Sequence, residues 1–206
     1  MDFAEWEPYY EEILAYFGFD RKLDEEAGRL LASLIPRDDL PLLEKAIREK
    51  TVTVCGNAPC LKDELGKIRG TVLAADAAIE VLAARGIRAD AVFTDLDGAT
   101  DTLLAANRNG TIAVVHAHGD NMPLLRAWVP KFTGPLVATT QAAPLPRVYN
   151  FGGFTDGDRA VFAAVSLGAA AVRIIGFDLD DPDVEPFKRG KLAWARKLLG
   201  LIGYAC

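Results

Sequence analysis

The spacing of hydrophobic positions along the chain changes near residue 50. Before that point, apolar residues such as Trp6, Ile13 and Phe17 recur at the spacing of one face of an α-helix. The same spacing continues through Leu34, and Pro41 lies in the first turn of a further helical segment. The pattern predicts an α-helical N-terminal region of two or three helices over residues 1–50.

From residue 51 onward, short continuous apolar runs alternate with helical segments. Such runs are typical of strands buried on both faces of a parallel sheet, and their alternation with helices produces right-handed crossover units. The predicted strands are Thr51–Cys55, Thr71–Ala75, Ala91–Thr94, Thr111–Val115, Leu136–Thr139 and Val172–Ile175. The predicted helices are Ala77–Arg85, Thr100–Asn109, Met122–Trp128, Arg159–Leu167 and Phe187–Leu199, and residues 141–153 form a proline-containing connection. The prediction is an α/β protein: a doubly wound, mostly parallel Rossmann-like sheet in a catalytic domain of residues 51–206.

Composition narrows the class of protein. The 206 residues suffice for one substantial core, and a hydrophobic fraction of 50% with 25% charged residues is typical of soluble globular proteins. A net charge of −6 argues against a general nucleic-acid binder. Cys55, Cys60 and Cys206 form no Cys-x-x-Cys pair, which favours reduced thiols over a zinc site.

The chain shows neither a secretory signal nor an apolar run of the roughly 20 residues that a membrane helix needs. We therefore expect a cytoplasmic protein without a membrane partner. The sequence leaves open whether the chain acts alone or as a homo-oligomer.

Polar residues cluster at the predicted carboxyl ends of the strands, where open α/β sheets bind ligands. Asp95 and Asp97 follow a buried strand and precede a glycine turn. Two carboxylates this close are costly to ionise without a partner, and Mg²⁺ is the usual one. The alternative is that both are turn residues that bond only to their own backbone.

The chain's two histidines, His116 and His118, follow the next strand. They are candidate metal ligands, acid–base groups or hydrogen-bond donors, with a purely structural role as the alternative.

Other strand ends carry candidates for binding a nucleotide or substrate. Gly56 and Asn57 belong to a Gly-Asn-Ala-Pro segment that is either a plain turn or a phosphate loop, although it lacks the G-x-G-x-x-G and Walker A patterns. Asp76 is either a helix N-cap or a ligand-binding residue. Further candidates of this kind are Asn121, Thr155, Asp156, Asp178, Lys188 and Lys191, while Asp120, close to the two histidines, is a candidate catalytic residue. The two lysines are either solvent-exposed charges on the last helix or groups that neutralise a polyphosphate.

Four motifs together resemble the archaeal MptE-like 6-hydroxymethyl-7,8-dihydropterin diphosphokinases, over roughly residues 50–200. They are Cys-Gly-Asn-Ala-Pro-Cys-Leu (55–61), Thr-Asp-Leu-Asp-Gly (94–98), His-Ala-His-Gly-Asp-Asn (116–121) and Gly-Phe-Thr-Asp-Gly-Asp-Arg-Ala (153–160). The second motif is also similar to that of thiamine diphosphokinases. One departure is Cys60, where the family more usually has serine.

The resemblance implies Mg²⁺-dependent transfer of diphosphate from ATP to 6-hydroxymethyl-7,8-dihydropterin, with release of AMP, as a step of folate or methanopterin biosynthesis. It implies that Asp95 and Asp97 hold the metal with Asp120 as a third carboxylate, and that the loop of Gly56 contacts nucleotide or pterin together with Asp76. The alternatives are a nucleotide-sugar-dependent glycosyltransferase of the same superfamily and a non-enzymatic nucleotide-binding module.

Overall fold

The structure of the protein is a computed structural model that describes residues 1–98 and 100–204. Within these residues seven strands form one parallel sheet. They are β1 (Thr51–Cys55), β2 (Thr71–Ala75), β3 (Ala91–Thr94), β4 (Ile112–Ala117), β5 (Leu136–Thr140), β6 (Val148–Tyr149) and β7 (Ala171–Ile175).

The spatial order of the strands is β6-β5-β4-β3-β2-β1-β7. The chain moves steadily away from β1 until β6 and then returns to place β7 on the other side of β1. The order therefore reverses between β1 and β7. A crevice outside the carboxyl ends of the strands forms at such a reversal, and it is the usual ligand site of open α/β sheets.

The helices are α1 (Phe3–Phe17), α2 (Arg21–Leu34), α3 (Leu40–Ile47), α4 (Leu61–Glu64), α5 (Ala78–Ala83), α6 (Thr100–Arg108), α7 (Met122–Trp128), α8 (Asp156–Ser166) and α9 (Pro186–Leu201). Buried apolar residues of α2 and α4–α7, including Leu31 and Leu125, form a core on one face of the sheet. Those of α3, α8 and α9, including Ile47 and Val161, form the core of the other face.

The first helix is attached to the rest of the protein by an aromatic cluster. Trp6 and Tyr10 of α1 are fully buried against Phe162 of α8 and Trp194 of α9. The helix ends at Gly18, whose left-handed conformation (φ 71°) turns the chain sharply, as glycine readily does. This turn brings residues 19–24 to the carboxyl edge of the sheet.

The predicted fold class is confirmed, including the N-terminal helical region, which contains three helices. The division of the chain into two parts at residue 50 stays a prediction. The two-residue strand β6 was missed because it lies in the segment assigned to a connection. Helix α8 begins three residues earlier than predicted, since Thr155 and Asp158 form a capping box there. In the described ranges, no helix is both long and apolar enough to span a bilayer.

Candidate functional site

Three carboxylates meet at the carboxyl edge of the sheet, and we call them the carboxylate triad. Asp76 follows β2, Asp95 follows β3, and Asp156 is the first residue of α8. One oxygen of each lies within 4.8 Å of the others. Residues far apart in the sequence meet here because β2 and β3 are neighbours in the sheet, while α8 packs across both.

The backbone around the triad is held in unusual conformations. Asp76 and Leu96 have positive φ angles of 43° and 73°, a region in which residues other than glycine are strained. The Thr94 hydroxyl group holds the two turns together, since it donates to Asp76 Oδ1 (2.7 Å) and accepts from the Leu96 amide (2.9 Å). A Cβ at residue 98 would lie 1.8 Å from Asp76 Oδ2, so only glycine fits there. Such clustered strain is typical of functional sites.

The protonation of the triad is uneven. Burial raises the pKa of Asp76, and it raises that of Asp156 much further, with the charge of Asp95 adding to both effects. Burial also opposes ionisation of Asp95, but hydrogen bonds from His118 and Asp97 and the charge of Arg159 outweigh it and hold the Asp95 pKa well below its usual range. Crowded carboxylates that cannot all ionise behave in this way, and a divalent cation would let all three carry charge.

The two other predicted metal ligands lie nearby. Burial and the hydrogen-bonded, charged neighbour Asp95 raise the pKa of Asp97 to about 6. Asp120 is exposed on the loop after β4 and lines the same cavity as Asp95 and Asp97. Among the described residues, the group with metal-ligand spacing joins Asp95 to Asp76 and Asp156 rather than to Asp97 and Asp120. This grouping depends on packing between distant segments, which sequence spacing does not encode.

The two histidines have different surroundings. His118 Nε2 lies 3.5 Å from Asp95 Oδ2, and its Nδ1 accepts a hydrogen bond from the Asp120 amide at 3.4 Å. His116 is buried, and burial lowers its pKa well below the usual value. Its Nδ1 lies 3.0 Å from Thr139 Oγ1, while its Nε2 has no hydrogen-bond partner within residues 1–98 and 100–204. Of the two histidines, only His118 lines the cavity that contains Asp95 and Asp97.

Asn121 lies beneath the site and does not line either of the two cavities described below. Its side chain donates to the carbonyl groups of Asp95 (2.8 Å) and His116 (2.7 Å) and accepts from the His118 amide (3.1 Å). The side chain is buried, and these bonds join the ends of β3 and β4. Its observed contacts hold Asp95 and His118 in position.

A cavity of about 330 Å³, the larger cavity, is lined by two members of the triad, Asp95 and Asp156. Its floor contains Asp95, Asp97, Asp156 and His118, and its rim comes from the turn after α1 and from α9. The rim residues include Phe19, Phe187 and Lys191.

The smaller cavity, of about 180 Å³, lies between the loop after β1 and the segment after β7. Residues 56–59, Phe177, Asp178 and Lys188 line it. Thr155, which caps α8, lines both cavities and therefore marks where they adjoin. Most of the predicted candidate residues thus line one of two adjoining cavities, whereas Asp76, His116 and Asn121 line neither of them.

Sequence analysis missed Asp24, a buried carboxylate of α2 that lines the larger cavity. Its Oδ2 accepts from the Tyr10 hydroxyl and from Gln141 Nε2, both at 2.7 Å, and its Oδ1 accepts from the Gly119 amide at 2.8 Å. Asp24 therefore connects α1, the end of β5 and the loop that carries His118. The available signal was its position three residues before Ala27, in the apolar stripe of α2.

Arg159 was also missed as a site residue. It is buried on α8, where its Nη1 lies 3.4 Å from Asp156 Oδ1 and its Nη2 lies 3.3 Å from Gln141 Oε1. The guanidinium group thus places a fixed positive charge beside the triad and connects it through Gln141 to Asp24. From the sequence, Arg159 was predicted only as the first residue of a helix.

Gly56 is required by the close approach of the loops after β1 and β7. An added Cβ would lie 2.4 Å from the Gly176 carbonyl oxygen and 2.7 Å from the Phe177 ring. We expect Gly56→Ala to lower the free energy of unfolding by about 1–3 kcal/mol, because backbone would have to move. Urea unfolding measures this, with Gly66→Ala as control, since a Cβ at Gly66 meets nothing within 4 Å. Equal stability of the two variants would contradict the tight packing of these loops.

Comparisons with known proteins identify the family of this chain. A family model described as 6-hydroxymethylpterin diphosphokinase MptE-like matches residues 31–184. A 6-hydroxymethyl-7,8-dihydropterin pyrophosphokinase of Methanothermobacter thermautotrophicus is 37% identical, with 97% of this chain and 94% of the relative covered. Proteins of the same name from Pyrococcus furiosus (40% identical, 97% and 93% covered) and Methanocaldococcus jannaschii (33% identical, 86% and 80% covered) also match. The chain therefore belongs to the MptE-like 6-hydroxymethylpterin diphosphokinase family.

Proposed function

We propose that this protein transfers a diphosphate group from ATP to the hydroxymethyl group of 6-hydroxymethyl-7,8-dihydropterin. The hydroxyl oxygen forms a bond to the β-phosphorus, the bond between that phosphorus and the α,β-bridging oxygen breaks, and AMP leaves with the bridging oxygen. The hydroxyl proton is released. Besides family membership, the observation that supports this function is the carboxylate triad, two members of which, Asp95 and Asp156, line a cavity beside the start of α8.

We propose Mg²⁺ as the cofactor, held by the triad with Asp97 and Asp120 close by. The donor set fits, because hard divalent cations prefer carboxylate oxygens. Burial and the nearby charge of Asp95 raise the pKa values of Asp76 and Asp156, and a bound cation would favour their charged forms. When bound, the cation would neutralise phosphate charge and favour attack at phosphorus. Phosphoryl-transfer catalysis consists mainly of such positioning and charge neutralisation.

The chain's own residues would position the phosphates at two further places. The N-terminus of α8 directs backbone N–H groups and a positive dipole end toward the triad, and Thr155 lies there. Lys191 borders the larger cavity and Lys188 the smaller one, so both are placed to neutralise phosphate charge. His118, with Nε2 directed at Asp95, is placed to donate a hydrogen bond near the reacting groups.

Both proposed substrates are metabolites of the cytoplasm, and we place the protein there. The remaining roles of the candidate residues are part of the same proposal: Gly56, Asn57 and Asp178 in nucleotide or substrate binding, and His116 as a buried support for His118.

The position of bond cleavage tests this function. With ATP labelled in the β or the γ phosphate, we expect both labels to appear in the pterin product and AMP to form in equal amount. ADP as the stoichiometric product would indicate an ordinary kinase and would overturn the proposal. Absence of any ATP-dependent product with hydroxymethylpterin would overturn it as well.

A further inference from the structure

We propose that the larger cavity binds the pterin ring and that the smaller cavity binds the adenosine part of ATP. The proposal rests on the proposed function and deepens it, because neither the fold nor family membership assigns the two substrates to the two cavities. Three features support it. They are the aromatic rings of the larger cavity, the excess of hydrogen-bond acceptors there, and the backbone walls of the smaller cavity.

The larger cavity has an exposed aromatic rim over a carboxylate floor. Phe187 of α9 is 54% exposed although it is a large apolar side chain, and its ring centroid lies 6.3 Å from that of Phe19. Phe17 supports both rings from behind, at centroid distances of 5.3 Å from Phe19 and 5.2 Å from Phe187. A flat heterocycle entering the cavity would cover this exposed surface by stacking on it.

The polar groups of the larger cavity favour a ring that is rich in N–H groups. Asp20, Asp24 and Asp120 line it in addition to Asp95, Asp97 and Asp156, so carboxylates outnumber the two cations of the lining, Arg159 and Lys191. Carboxylates accept hydrogen bonds and do not donate them when ionised. A reduced pterin presents N–H donors on its amino group and on both rings, whereas adenine presents only its amino group and several acceptor nitrogens. The donor-rich pterin is therefore the better complement.

The smaller cavity has the character of a nucleoside site. Its walls include backbone at Gly56, Gly157 and Gly176, and the Phe177 ring lies so close that a Cβ at Gly157 would be 2.8 Å from it. Phe177, Leu179 and Leu192 provide apolar surface for a base, and Asp178 provides an acceptor for ribose hydroxyl groups.

In this arrangement the reacting groups would meet near Thr155, between the two cavities. Because it lines both, a polyphosphate that leaves the smaller cavity reaches the N-terminus of α8 and then the triad. The pterin's hydroxymethyl group would approach from the opposite side, past His118 and Asp95. This arrangement presents the β-phosphorus, rather than the terminal one, at the boundary between the two substrates.

Two consecutive residues of α9 make the test specific, since Phe187 lines only the larger cavity and Lys188 only the smaller. We expect Phe187→Ala to raise the KM for the pterin by ~3- to 10-fold with the KM for ATP unchanged, as loss of one aromatic stacking contact predicts. We expect Lys188→Ala to raise the KM for ATP by ~3- to 10-fold with the KM for the pterin unchanged, as loss of one charge-assisted contact predicts. Tyr16→Ala is the control, because Tyr16 is 64% exposed in the same aromatic cluster but lines neither cavity.

Calorimetric titration with 6-hydroxymethyl-7,8-dihydropterin and, separately, with a non-hydrolysable ATP analogue measures binding without turnover. The reversed pattern, or a Phe187→Ala variant that matches Tyr16→Ala for both ligands, would overturn the assignment of the cavities. If the wild-type protein bound the pterin but formed no product, the proposed function would fail while the binding comparison would still decide the assignment. A wild-type protein that binds no pterin would overturn both.

Discussion

Replacing Asp95 with asparagine is expected to lower kcat by at least ~10²-fold, the loss typical when one charged group that stabilises a transition state is removed. Asp95 belongs to the carboxylate triad, and its pKa is held low, so it carries charge when the other members do not. Asparagine has nearly the same shape and keeps an oxygen toward His118, so the fold should persist. Initial rates at saturating ATP, pterin and Mg²⁺ measure the effect.

Two further measurements separate loss of metal from loss of structure. The Mg²⁺ concentration that gives half-maximal activity should rise in Asp95→Asn, while the melting temperature should stay within a few degrees of wild type. Asp101→Asn is the matched control, because Asp101 is exposed on α6 and lines neither cavity. Near-normal turnover of Asp95→Asn at saturating Mg²⁺ would contradict the role of Asp95 in holding the metal.

Asp24→Ala is expected to lower the free energy of unfolding by about 2–4 kcal/mol, because Tyr10, Gln141 and Gly119 all lose a buried acceptor. For a chain of this size that corresponds to a fall of roughly 5–15 °C in Tm. Turnover measured well below Tm should also fall, by about 10-fold, since the loop of His118 and the Gln141–Arg159 pair lose their common support.

Conservative variants separate the contributions of the three hydrogen bonds that Asp24 accepts. Tyr10→Phe removes one of the three hydrogen bonds and should cost about 1 kcal/mol with little change in kcat. Asp24→Asn retains an acceptor for Gly119 and should lie between wild type and Asp24→Ala in both stability and turnover. Glu26→Gln, an exposed change on the same helix, is the control. An Asp24→Ala protein that melts and turns over like the control would show that this network is dispensable.

Part of the site could be read directly from the sequence because its residues lie next to each other. Asp95, Asp97 and the two histidines follow recognisable strands, and the α/β topology places all strand ends at one edge. Asp24 and Arg159 gave no comparable signal. Asp24 looked like a charge on a helix surface, whereas Tyr10 and Gln141, from elements distant in the sequence, surround it in the folded protein.

The sequence by itself determined the fold class, six of the seven strands in the described residues to within two residues at each end, and the motifs from which a diphosphokinase-like site was inferred. Hydrophobic periodicity and local motifs suffice for these, because they reflect interactions between residues close along the chain. Only the tertiary structure decided that Asp76 and Asp156 join Asp95, that Asn121 and His116 lie beneath the site, and that two cavities meet at Thr155. These features depend on how α1, α2, α8 and α9 pack over the sheet edge, and some of the contacts that fix such packing, such as that of Gln141 with Asp24, join residues more than a hundred positions apart.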